Sequence, residues 1–258
     1  MTRKKSIKKV TLLSLFAGRW QSWTPYWYGL QNLDYPKNRI DVLWYTNATY
    51  QFVEFLKYQA SIAIKQGFNV RIIHDTGVPP SANAFVDKGQ RTMEHAVTIA
   101  SMYNSAMKHV KTDRVFFVED DICIPSNTLK KLMKDLSTHR FACYVAGVQF
   151  DRHENRMFFW DIEKVPVGFN NSDKPFWRSF PPRVTWGVQK IGLGHLGCTL
   201  IDFERAGRPD VIFNPQVEAE GAEKFIGCDI DFCFRHPGKC LADYDIRAFH
   251  YDSKAKPH

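Results

Sequence analysis

The chain has 258 residues, enough for one large domain or two small ones, and 44 % of them are hydrophobic, which excludes disorder as its default state. Thirty-five basic against 27 acidic residues leave a formal charge of +8, a surplus that suits a phosphate-bearing small molecule, an anionic membrane face or nucleic acid. No nucleic-acid motif is present, and no stretch is long enough to span a membrane, although the basic surface allows peripheral membrane contact.

Part of the charge lies in Arg3, Lys4, Lys5, Lys8 and Lys9, so residues 1–9 read as a basic flexible head. VTLLSLFAG follows. It is short for a secretory h-region and runs into Arg19 and Trp20 without a cleavage site, so Val10–Phe16 reads as a first buried strand. Pro25–Leu33 has a helical pattern, Ile40–Tyr45 is a strand, Tyr50–Gln66 a helix and Val70–His74 a strand. A loop with Pro79 and Pro80 leads into a long helix from about Gln90 to Val110. The β-α-β-α order predicts an α/β structure around a mostly parallel sheet. In such sheets ligands bind outside the carboxyl ends of the strands.

The next strand carries the strongest signal. Val115–Val118 is a short apolar run of the kind a buried strand needs, and it ends in Glu119, Asp120 and Asp121. Three adjacent carboxylates repel one another unless a cation or donor groups compensate. A divalent metal that also holds a phosphate is one compensation, since hard cations take oxygen ligands. The alternative is a solvated acidic turn opening the helix that follows from Asn127, Leu129–Leu136, with the acids favoured by its N-terminal dipole.

Beyond the strand at Phe141–Phe150 the pattern changes. Residues 151–188 carry many aromatics and four prolines with few helix signals, and read as extended structure and loops. GVQKIGLGHLGCTLIDFE, residues 187–204, has Gly192, Gly194 and Gly197 for tight turns and close backbone approach. It lacks the strand-then-helix setting of a dinucleotide fingerprint. Near the end, Gly227-Cys228-Asp229-Ile230-Asp231 opens a helical run that stops at Pro237-Gly238, and Tyr244–Ala248 reads as a strand delivering His250. Asp229 is either a helix cap or a carboxylate aimed into a cleft as general base. His250 is either a surface residue or a metal ligand. Of the six cysteines none makes a C-x-x-C pair, and Cys228, Cys233, His236 and Cys240 fit no common zinc spacing. Free thiols and a cytoplasmic location are expected.

The ordered set is a helix with Asn104, an apolar strand, an acid triplet, a Gly-rich middle, G-x-D-x-D-F, and a strand ending in His. It resembles the GT-A glycosyltransferases, most closely the inverting family 2 type, over about residues 10–252. The resemblance implies a single GT-A-like domain over residues 10–258, with a nucleotide-binding half (10–140) and a loop-rich acceptor and catalytic half (141–258). Glu119 takes the first acidic place, near the ribose, and Asp120 the variable middle. Asp121 takes the metal-binding place, His250 joins the metal shell, and Asp229 is the catalytic base. The family's usual Glu before that base is Cys228 here. Arg91 and Asn104 become candidates for donor contacts, and Asp75 or Asn47 for reading the base. The implied cofactor is a divalent metal, Mn or Mg, and the implied substrates are a nucleotide-diphosphate sugar and a hydroxyl on a glycan, lipid, protein or modified nucleobase. The rival readings are a nucleotidyltransferase acting on a sugar phosphate, a non-catalytic carbohydrate-binding protein on the same fold, and a basic nucleic-acid module.

Overall fold

A computed structural model of the chain describes residues 7–77, 93–149, 161–165, 176–180, 186–208, 212–214, 216–217, 225–226 and 228–251. The first half alternates as the sequence predicts: β1 (Val10–Phe16), α1 (Trp23–Gln31), β2 (Ile40–Thr46), α2 (Tyr50–Lys65), β3 (Asn69–His74), α3 (Met93–Met107) and β4 (Arg114–Val118). Then come β5 (Ile122–Cys123), α4 (Thr128–Thr138), β6 (Tyr144–Gln149), β7 (Asp161–Val165), β8 (Phe176–Phe180), β9 (Val188–Lys190) and β10 (Cys198–Asp202). A short α5 (Phe203–Ala206), β11 (Gln216–Val217), β12 (Phe225–Ile226), α6 (Cys228–Arg235) and β13 (Cys240–His250) complete the order. Arg91, Pro79, Pro80 and most of the aromatic-rich segment at 151–185 lie outside the described residues.

The main sheet is ordered β3-β2-β1-β4-β10-β6-β13-β5, with β9 paired to β13. β1 is parallel to β2 and β4, β2 to β3, and β6 to β13, while β10 is antiparallel to β4 and β6. The sheet is therefore mostly parallel, and the carboxyl ends of β1, β2, β3, β4, β6 and β13 share one edge. The central strands are buried on both faces, which explains their near-continuous apolar runs. β4 shows the period of two: Phe116 and Val118 pack into one core layer with Phe16, Trp44, Phe52 and Leu132, whereas Val115 and Phe117 pack into the other with Tyr103, Phe213 and Phe232.

One central strand is not evident from pattern. β10, CTLID, lies inside what reads as a Gly-rich loop region, yet it sits between β4 and β6 and is buried throughout. Only five residues long and entered from Gly197, it offers too few positions for a period to emerge. β13 is also longer than Tyr244–Ala248. Its start pairs with β6, its register shifts between Asp243 and Arg247, and its end pairs with β5. The described cysteines Cys123, Cys143, Cys198, Cys233 and Cys240 are free thiols. Among the described residues no helix is long and apolar enough to cross a membrane.

Candidate active site

The acid triplet lies where β4 leaves the sheet. The Glu119 N–H donates to the Gly197 carbonyl (3.1 Å), and the Ile122 N–H donates back to the Glu119 carbonyl (3.1 Å), closing a tight turn. The chain then runs into β5, where Ile122 and Cys123 pair with His250 and Phe249 of β13. One residue on, the Tyr251 N–H donates to the Asp121 carbonyl (2.7 Å). These backbone links bring two distant parts of the sequence together. The ligand atoms of Glu119, Asp121 and His250 lie within 4.8 Å of one another, with His250 Nε2 4.0 Å from Glu119 Oε2. The side chains of Asp121 and His250 are buried at 2 % and 8 % exposure, and that of Glu119 is 40 % exposed. Two carboxylates and an imidazole converging on one point form a donor set that fits a divalent cation.

The solvated-turn reading does not survive. Asp120 and Asp121 are only 1 % and 2 % exposed. No acid stands in the first turn of α4, which begins at Thr128 beyond Pro125, Ser126 and Asn127, so the helix dipole is not what compensates them. Arg19 is. Its guanidinium spans both aspartates: one terminal nitrogen donates to Asp121 Oδ2 (2.5 Å), the other to Asp120 Oδ1, and Nε lies 3.4 Å from Asp120 Oδ2. The Ala17 N–H adds a bond to Asp120 Oδ2 (3.3 Å). Gly18, at φ +85°, supplies the left-handed residue that lets the chain after β1 turn back toward the acids. Burial works against the Arg19 charge, but Asp120, Asp121 and Glu119 outweigh it and hold the guanidinium protonated. Burial also pushes the Asp120 carboxyl above its ordinary range, against the pull of Arg19 and the Ala17 N–H and with help from Asp121. Asp120 is thus tied to Arg19 and to the Ala17 N–H. Arg19 itself escapes a motif search because a lone arginine after a strand carries no pattern.

The Gly-rich segment packs against this turn. A Cβ on Gly197 would collide with the Gln149 amide, and one on Gly194 with the Tyr144 hydroxyl, so both glycines are set by close approach. The Tyr144 hydroxyl (2.6 Å) and Thr199 Oγ1 (2.5 Å) both donate to the His195 carbonyl. The Gly197 N–H donates to His195 Nδ1 (3.2 Å), which fixes that nitrogen as unprotonated. Burial, reinforced by the nearby His250, holds the His195 pKa down to about 3, so the ring is neutral. This histidine, in plain view in GLGHLG, gives no signal in sequence that separates it from a core residue.

The remaining predicted residues divide. Asp229 stands in the first turn of α6, half-buried, and its charge acts on the buried Tyr144 hydroxyl, whose pKa is raised chiefly by burial. Asp231 in the same turn is fully buried and ion-paired with Arg235 (2.8 Å), a structural role distinct from that of Asp229. Asn104 is committed to the backbone: its amide N–H donates to the Phe213 carbonyl (2.7 Å), and its oxygen accepts from the Ile212 and Phe213 N–H groups (3.0 Å each). It ties residues 212–213 to α3. Asp75 directly follows β3 at the carboxyl edge, accepting from the Tyr45 hydroxyl and from the Gly77 N–H (2.9 Å). The His236 ring nitrogens lie 2.8 and 3.0 Å from the Phe232 and Ala206 carbonyls, which occupies them within the fold.

No protein-family model matches the chain, and no curated protein matches it. Solved structures do. GalNAc-T7, solved with UDP, GalNAc and Mn2+, superposes with a TM-score of 0.61 at 9 % identity, over 95 % of this chain and 44 % of that one. The mannosyltransferase PcManGT of Pyrobaculum calidifontis, in complex with GDP-Man and Mn2+, gives 0.57 at 12 %, over 97 % and 59 %. Residues 1–349 of S. aureus TarS give 0.53 at 12 %, over 94 % and 60 %. The chain therefore spans between 44 % and 60 % of the length of these structures. Together with the sheet order and the acid turn at the edge of β4, the likeness establishes that this chain has the GT-A glycosyltransferase fold.

Proposed function

We propose that the protein is a metal-dependent glycosyltransferase that moves a sugar from a nucleotide-diphosphate sugar to a hydroxyl acceptor with inversion. The observation that carries this reading is the convergence of Glu119, Asp121 and His250 at the carboxyl edge of a GT-A sheet. Asp121 and His250 would hold a divalent cation, with Glu119 within the same reach. When bound, that cation supplies positive charge to stabilise the leaving diphosphate. Arg19 and the Ala17 N–H hold Asp120 and Asp121 in place, and the Gly-rich segment fixes the backbone of Glu119. Asp229 takes the proton of the acceptor hydroxyl as its oxygen bonds to the anomeric carbon, while the bond from that carbon to the diphosphate oxygen breaks. Residues 10–140 then form the nucleotide side, with Asp75 toward the donor, and residues 141–258 the acceptor side.

The reading is tested by incubating the protein with UDP- and GDP-sugars and Mn2+ and following nucleoside diphosphate release. Transfer that depends on Mn2+ and falls about 100-fold or more in Asp229→Asn is expected. Transfer that survives chelator removes the metal, near-normal turnover in Asp229→Asn removes the base, and no turnover of nucleotide sugars but pyrophosphate release from a nucleoside triphosphate and a sugar phosphate in a parallel incubation would identify a nucleotidyltransferase.

A further inference from the structure

We propose that Arg19 is a tethered counter-ion that competes with a divalent cation for the Asp121 carboxylate and so sets the affinity of the site. The inference rests on the glycosyltransferase reading and goes beyond it, because it concerns a residue outside the donor set. Asp120 and Asp121 are neighbours, both buried. The Arg19 fork is anchored by two nitrogens on Asp120, which aims its remaining terminal nitrogen at Asp121 Oδ2 at 2.5 Å. The cation that holds the acid turn together is thereby placed on a carboxylate that must also serve as metal ligand. With all three acids ionised, Glu119, Asp120 and Asp121 against Arg19 leave two net negative charges, and one divalent ion balances them. A fixed positive charge at hydrogen-bond distance from a ligand opposes the approach of a second cation, and in a partly buried site that opposition is only weakly screened. Arg19 is therefore a positioning residue with a price in metal affinity: it preserves the turn and weakens the grip on the ion.

The consequence is counter-intuitive and so discriminating. Removing a residue that merely supports the fold lowers stability and leaves metal affinity unchanged or worse. Removing a competing cation lowers stability and tightens metal binding. Calorimetric titration of Mn2+ alone into the full chain, with thermal unfolding in the presence and absence of Mn2+, separates the two. In Arg19→Met the dissociation constant for Mn2+ is expected to fall by about tenfold or more. The Mn2+-induced rise in Tm should exceed that of wild type even though the Tm without metal is lower. Arg19→Lys keeps the charge but replaces the fork by a single flexible ammonium, which cannot bridge both acids, so a smaller tightening of about threefold is expected. If Arg19→Met does not fold, Arg19→Lys decides. Unchanged or weaker Mn2+ binding in the folded variants overturns the competition while leaving the metal-dependent reading intact. Absence of Mn2+ and Mg2+ binding in wild type and variants alike overturns both.

Discussion

Among the described residues, two pairs of buried aspartates are neutralised in different ways. At the edge of β4, Asp120 and Asp121 share a guanidinium. Between α4 and β13, Asp135 is hydrogen-bonded to Asp243, and the cation beside them, Lys131, reaches only to 3.5 Å of Asp243. Burial and the Asp243 charge push the Asp135 carboxyl up to about 7, so this second pair holds a proton through much of the acid range. The Arg19 guanidinium pulls the Asp120 carboxyl back toward the anion against its burial. A shared proton does the opposite. The difference separates a pair held by a cation from a pair relieved by a proton, and it was invisible while both were only Asp residues in a string.

The largest effect should come from breaking the first pair on the functional side. Asp121→Ala is expected to reduce sugar transfer by about 100-fold or more, with far-UV circular dichroism unchanged because Arg19 still has Asp120. Breaking it from the cation side is a stability experiment. Arg19→Met removes the guanidinium that two buried carboxylates share and should lower stability by about 3 kcal/mol, read as a drop in urea midpoint. In the second pair the direction reverses. The Asp135 value of about 7 lies above the unfolded carboxyl value, so the unfolded chain releases its proton first and stability declines as pH rises toward 7. Asp135→Asn should remove that decline and be more stable than wild type at pH 8 by on the order of 2 kcal/mol, with the advantage vanishing near pH 4. The smallest effect belongs to His195. Its folded value of about 3 lies below that of free imidazole, so its contribution is whole above about pH 6.5 and shrinks as pH falls. His195→Gln should flatten the acid limb of the stability profile by up to about 1.4 kcal/mol per pH unit, checked by urea titrations at pH 7, 6 and 5.

Much of the framework was legible because it is repetitive. β1 and β2 begin where the apolar runs begin, and α2 spans the predicted pattern to within a residue at its end, since long amphipathic and fully apolar segments announce their period. The acid turn was legible because three carboxylates after an apolar strand violate the expectation for a buried edge. What remained hidden depends on partners distant in sequence. β10 is short and takes its place from β4 and β6 on either side. The three bonds of Asn104 to residues 212 and 213 join parts of the chain more than a hundred positions apart. Arg19 lies a hundred residues from the aspartates it holds, and no local pattern connects them.

The strand β13 carries a kinetic consequence. It joins β6 at one end and β5 at the other, with a register shift between them, and its last residues complete the ring of Glu119, Asp121 and His250. Such long-range pairings close late, because loop entropy must be overcome before they contribute. The acid turn therefore gains its histidine only when the end of this strand docks on β5.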